Sequence, residues 1–286
     1  MSETTIQSLI KGNLSLPTIP EVVAKVNRII EDPESGTRDL GELVDQDAPL
    51  AAKVLRIANS AFYGAQECVS TTHACTILGM RVLKNLVMQV AVMEQFEHLE
   101  GTGFDVTGLW EHAVSTARLA SFIAGMRPEA MSRKPDELYG CGLLHDIGKI
   151  VMLDGLGTAY VDLVNKAMDR NLPIHLIEKM ELGFDHTDVG NVVAERWGMP
   201  RDLADAIQFH HAPAVVLEKR HVAALVWCAN HVAHETADGN PAAAGSILES
   251  PPARFLQLDT WQMDEILQFA LEQPPGHPSR GPGTDS

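Results

Sequence analysis

An all-α fold is what this sequence predicts, and three observations predict it. Apolar residues recur with helical spacing over most of the chain, and no stretch of useful length alternates apolar and polar residues as a strand would. Capping residues such as Asp47 and Ser70 precede periodic runs, and breakers such as Asp32-Pro33 follow them. With 286 residues, 45% of them hydrophobic, the chain can bury a substantial core.

The elements follow in order. Over residues 21–31, Val22, Val23, Val26, Ile29 and Ile30 share one helical stripe. Thr37 is placed to cap a second helix carrying Leu40, Leu43 and Val44, and Asp47 a third carrying Leu50, Val54, Leu55 and Ile57, which residues 60–64 interrupt. Ser70 can cap the next run, where Val82, Leu83, Leu86, Val87, Val90 and Met93 form a wide apolar stripe. Gly101-Thr102-Gly103 reads as a boundary between two lobes. Beyond it, helical patterns cover residues 109–125, 136–153, 158–170, 174–182, 187–197, 201–209 and 215–234. Residues 237–252, rich in Ala, Gly, Pro and Ser, predict a mobile connection before a last helix at 261–271, and the Pro- and Gly-rich residues 273–286 a disordered tail.

Composition narrows the functions. A formal charge of −16 works against direct nucleic-acid binding, which relies on clustered Lys and Arg. No stretch reaches the roughly 18–20 apolar residues of a membrane helix, and the first residues carry no signal-peptide core, so a cytoplasmic protein with no membrane partner is expected. Cys68, Cys75, Cys141 and Cys228 form no CxxC pair and sit mostly in apolar helical patterns, as buried reduced thiols would.

The chemistry-bearing residues are His112, the pair His145-Asp146, His186 and the pair His210-His211, each on or beside a helix. Singly, each histidine fits a hydrogen-bonded core residue as well as a ligand. Asp146 lies in the apolar run 141–153 with no neighbouring Arg, and a buried carboxylate there costs several kcal/mol unless a cation or hydrogen-bond donors compensate it. Mixed imidazole and carboxylate donors suit Fe, Mn, Zn, Co or Ni.

That order of residues resembles the HD superfamily of metal-dependent phosphohydrolases. The resemblance narrows to the HD-related output domain (HDOD) family through Leu16-Pro17-Thr18-Ile19-Pro20, the run from Asp47 to Asn59-Ser60, Tyr63-Gly64 and Thr76 to Gly79. It continues through Trp110-Glu111-His112, Gly142 to Gly148, Glu178, His186 with Gly190, Trp197 to Pro200 and His210-His211. It implies an N-terminal helical lobe (16–100) packed on an HD-like helical lobe (104–235), together one HDOD domain over 16–235, after a lead-in at 1–15 and before a linker and C-terminal helix at 236–272.

By this resemblance one or two divalent ions are expected, with Asp146 bridging or ligating, His112 and His145 completing one site, and His186, His210 and His211 forming the second. HD hydrolases place an aspartate on a late helix, where this chain offers Asn230, a weak neutral ligand, and the Gly-Tyr-Pro of the HD-GYP type does not follow His210-His211. The resemblance therefore implies a bacterial-type regulatory module that works through protein contacts with a receiver or kinase component on another chain. The alternative is a metal-dependent phosphohydrolase of nucleotide or cyclic-nucleotide phosphoesters, with Asp146 and Lys149 as its catalytic residues. In that case Lys149 faces the phosphate; otherwise it is the exposed end of its helix.

Overall fold

The computed structural model describes residue 6 and residues 21–59, 67–94, 96–99, 101–131, 133–212, 221–237 and 244–272, and among them no strand occurs. The features expected at 1–5, 7–20, 60–66, 213–220 and 273–286 lie outside these residues.

The first lobe is built from α1 (Glu21–Glu31), α2 (Thr37–Asp45), α3 (Ala48–Ala58), α4 (Thr71–Leu78) and α5 (Met80–Glu94). Asp47 and Ser70 cap as expected, accepting the backbone N–H of Leu50 and His73. Thr37 does not; it is the first helical residue, and the Asp39 carboxylate instead accepts the N–H of Gly36 at 2.7 Å. The run after Ser70 is two helices because Gly79 takes φ +89°, a conformation side chains disfavour. The resulting bend lets Leu83, Leu86, Val87 and Val90 of α5 pack among Val26, Leu40, Val44, Leu50 and Val54. Asn59 ties Cys68 back to the end of α3 with its amide, donating to the Cys68 carbonyl at 2.9 Å and accepting its N–H at 2.6 Å.

The second lobe follows as α6 (Val106–Met126), α7 (Pro135–Leu144), α8 (Ile147–Leu156), α9 (Thr158–Arg170), α10 (Ile174–Leu182), α11 (His186–Arg196), α12 (Arg201–Phe209) and α13 (His221–Ala237). The long α6 packs along α7 and α13. Residues after α5 join this core, since Phe96 and Leu99 share one apolar cluster with Trp110, Tyr139 and Leu143. Helix α13 is buried on every side from Val222 to Asn230, which explains its weak amphipathic pattern.

The mobile connection expected over 237–252 is corrected where the structure describes it. Helices α14 (Ala244–Glu249) and α15 (Pro251–Phe255) form there, Ser250 caps α15 through the Ala253 N–H, and Ile247 and Ala253 are buried in the core. Composition missed this because two prolines at a helix start look like a breaker but satisfy its first turn. The last helix, α16 (Thr260–Glu272), packs on α6 and α13, stacking Phe269 on Phe122 at 4.1 Å. All four cysteines are buried thiols, and burial pushes Cys141 up to about 12.

Candidate metal centre

The single helix expected over 136–153 is two, broken at His145-Asp146. Asp146 holds the N-cap position of α8, yet its carboxylate makes no cap hydrogen bond. An N-cap aspartate ordinarily accepts from the backbone that follows it; here the carboxylate turns inward to the histidines. Two glycines bring them close. A Cβ on Gly142 would lie 2.5 Å from the Cα of Ala117, and one on Gly148 would fall on the carbonyl oxygen of His186. Helix α7 therefore rides on α6, and α8 on the start of α11, with Asp146 between them.

The six residues expected as ligands do converge. Asp146 Oδ2 lies 3.2 Å from His145 Nε2 and 3.9 Å from His112 Nε2. Its Oδ1 lies 3.4 Å from His186 Nε2 and 3.3 Å from His210 Nε2, and His211 Nε2 is 3.1 Å from His186 Nε2. Donor atoms thus fall into two groups sharing Asp146, one with His186, His210 and His211, the other with His112 and His145. His145, His186 and His210 are wholly buried and Asp146 is 3% exposed.

Three of the rings are aimed by their other nitrogen. His145 Nδ1 donates to the Gly142 carbonyl at 2.7 Å, and His210 Nδ1 to that of Ile207 at 2.8 Å. His186 Nδ1 pairs with Glu178 Oε2 at 2.6 Å, and Tyr160 donates to Glu178 Oε1 at 2.6 Å. A neutral ring that donates through Nδ1 carries its lone pair on Nε2, the atom facing Asp146.

Electrostatics reinforce that arrangement. Burial alone would raise the Asp146 carboxyl, but His145 and Lys149 outweigh it and hold it well below the usual carboxylate range. Burial pushes His210 down to about 4 and, with the neighbouring His210 and His186, drives His211 far below the ordinary imidazole value. His112 is lowered by burial, then by His234 and His145. The Glu178 carboxyl, against its own burial, is lowered by His186.

These atoms fit a divalent ion. Asp146 Oδ1 and the Nε2 atoms of His145 and His210 are buried without an aligned hydrogen-bond partner, a costly state for acceptors unless a cation sits among them. A tetrahedral ion with bonds of roughly 2.0–2.1 Å sets its donors about 3.4 Å apart, close to the spacings around Asp146 Oδ1 and His186.

Lys149 is not the exposed end of its helix: its side chain is 12% exposed and its Nζ lies 2.7 Å from Asp146 Oδ2. Proximity in the helix decides this, because residues three apart share a face. Asn230 is 1% exposed with Oδ1 lacking a hydrogen-bond partner, one turn before His234 on α13.

Three further contributors were not among the expected ligands, and of these the family resemblance included Glu178 without giving it a role. His234 stacks on His112 with centroids 4.2 Å apart, His175 stacks on His211 at 4.2 Å, and Glu178 aims His186. A signal was present for two of them: His175 and Glu178 stand three apart on α10, the spacing of one helix face.

Comparison with known proteins agrees with this architecture. The HDOD domain model matches residues 16–213. An uncharacterized protein of Treponema pallidum (strain Nichols) is 28% identical over 197 residues, covering 68% of this chain and 37% of that protein, so the chain spans little more than a third of that relative's length. An HDOD domain protein of unknown function from Geobacter sulfurreducens has the same fold, with TM-score 0.79 and 24% identity over 92% of this chain and 91% of the other. A candidate phosphohydrolase from Shewanella amazonensis SB2B superposes with TM-score 0.69 at 25% identity, over 93% of this chain and 97% of its own.

Proposed function

The chain belongs to the HDOD family, and from that premise we propose that it is a signal-transduction module that acts through protein contacts and holds a divalent metal in its HD-type centre. The observation that carries this reading is the double face of α10. Inward, Glu178 binds both the ring and the backbone N–H of His186, and His175 stacks on His211. Outward, Leu176 and Met180 are 43% and 66% exposed, and Met168 of α9 and Leu172 of the turn between the two helices are exposed as well. One short helix thus links the metal centre to an exposed apolar surface, and surfaces of that kind mark contact sites. The expected partner is a signalling component such as a receiver or kinase domain on another chain.

When bound, the metal supplies positive charge and Lewis acidity. His186, His210, His211 and Asp146 are the residues placed to hold it. Among the described residues no helix is long and apolar enough to cross a membrane.

The second reading, a metal-dependent phosphohydrolase, is favoured by the near full-length likeness to the Shewanella protein and by the complete set of histidines. Metal analysis of the purified protein beside a hydrolysis screen over cyclic dinucleotides, nucleoside polyphosphates and a short RNA separates the two. Bound metal without turnover is the expected result. Turnover that disappears in Asp146→Ala would reverse the ranking.

A further inference from the structure

We propose that the centre holds one divalent ion, in the group formed by His186, His210, His211 and Asp146 Oδ1, and that the Lys149 ammonium stands where a second ion would have to bind. The inference rests on the metal reading above and specifies it. The two oxygens of Asp146 have different company. Oδ1 faces His186 and His210 at 3.4 and 3.3 Å, and no Lys or Arg is paired with it among the described residues. Oδ2 already carries a cation, with Lys149 Nζ at 2.7 Å, closer than either His145 at 3.2 Å or His112 at 3.9 Å.

The donors beside Oδ2 are also less ready for an ion. His112 Nε2 lies 3.4 Å from the Thr116 hydroxyl and 3.9 Å from Asp146 Oδ2. The His112 ring is held by its stack on His234, 4.2 Å away. The ring that a metal shared with His145 would use is thus already in contact with Thr116 and His234. Lys149 cannot easily withdraw, since its side chain is 12% exposed and starts one turn beyond Asp146 on α8.

Charge balance points the same way. Among the described residues, Asp146 and Glu178 are the acids within ion-pair distance of the clustered histidines. With Lys149 in place, one divalent ion leaves a single positive charge in excess, and a second ion would leave three in a buried site, which desolvation makes unfavourable. A carboxylate shared between an ion on Oδ1 and an ammonium on Oδ2 is the arrangement that the available anions can balance.

The test is stoichiometry, read without reference to any activity. The purified full chain is stripped with chelator, titrated with Co2+ while its visible absorption is followed, desalted and analysed for metal per chain; circular dichroism checks the fold of each variant. Wild type is expected to take one equivalent, and Lys149→Met, which keeps the stem and removes the charge, two. His112→Ala, which lies outside the proposed ion's ligands, is expected to retain one equivalent, and His211→Ala to lose it. Two equivalents in wild type would overturn the inference while leaving the metal reading intact, and none in wild type would overturn both. A single equivalent in folded Lys149→Met, or metal lost in folded His112→Ala, would show that the ammonium is not what limits the site or that the ion sits elsewhere.

Discussion

The two lobes are built from the same helical packing and differ in what they bury. In the first, the buried polar residues are the neutral Thr71, Asn85 and Gln89, set in a core of Val, Leu and Ala. In the second, Arg118, His145, Asp146, Glu178, Asp185, His186 and His210 are buried within apolar walls of comparable quality. A stability argument alone would not place charge there, because apolar side chains of similar volume are often at least as stable as a buried ion pair. The difference teaches that the first lobe is organised for packing and the second around a buried histidine and carboxylate cluster whose donors could hold a cation.

The largest expected effect follows from removing the centre of that cluster. Asp146→Ala strands Lys149 and deletes the oxygens facing four histidines, so it should abolish metal binding and cost about 4 kcal/mol in urea unfolding. A loss below about 1 kcal/mol would mean that the carboxylate is not a structural anion. Leu86→Ala in the first lobe, fully buried on α5, should cost about 3 kcal/mol through its cavity. The contrast is sharpened by metal: the Leu86→Ala penalty should be the same with chelator or with Co2+, whereas a penalty that changed with metal would show the lobes to be energetically coupled.

A graded effect of pH comes next, in the metal-free protein. Burial pushes His210 and His234 down to about 4 in the folded chain, against about 6.5 when unfolded. Between these values the unfolded chain binds more protons, so stability is full above pH 6.5 and is lost as pH falls toward 4. The lowered Asp146 and Glu178 carboxyls act in the same sense below their unfolded values of about 4. Urea midpoints measured at pH 7.5, 6 and 5 with chelator should fall steadily; a flat profile would contradict the burial of these rings. The smallest expected effect is Asn230→Asp, which should tighten Co2+ binding by no more than about tenfold if the new carboxylate reaches the centre. An unchanged affinity would place that side chain outside it.

Much of the fold was legible in the sequence because helical period and capping are local properties. Asp47 and Ser70 cap where expected, and the helices at 158–170, 174–182 and 201–209 match the structure in full. Local reasoning failed where a single run hid a break. The run over 136–153 is continuous in apolar period, yet α7 and α8 part at His145-Asp146, because Gly142 and Gly148 let the chain bend against α6 and α11. The C-terminal segment at 244–255 likewise owes its order to burial of Ile247 and Ala253 rather than to its composition.

By itself, then, the sequence determined the all-helical class and nominated His112, His145, Asp146, His186, His210 and His211, since residue type and helical phase are written along the chain. Only tertiary structure decided which oxygen of Asp146 faces each of the two groups that the family resemblance implied, that Lys149 closes on one of them, and that Glu178, His175 and His234 complete the surround. The physical reason is range. Capping and periodicity act over a few residues, whereas the character of a buried charge depends on groups that only packing brings within a few ångströms.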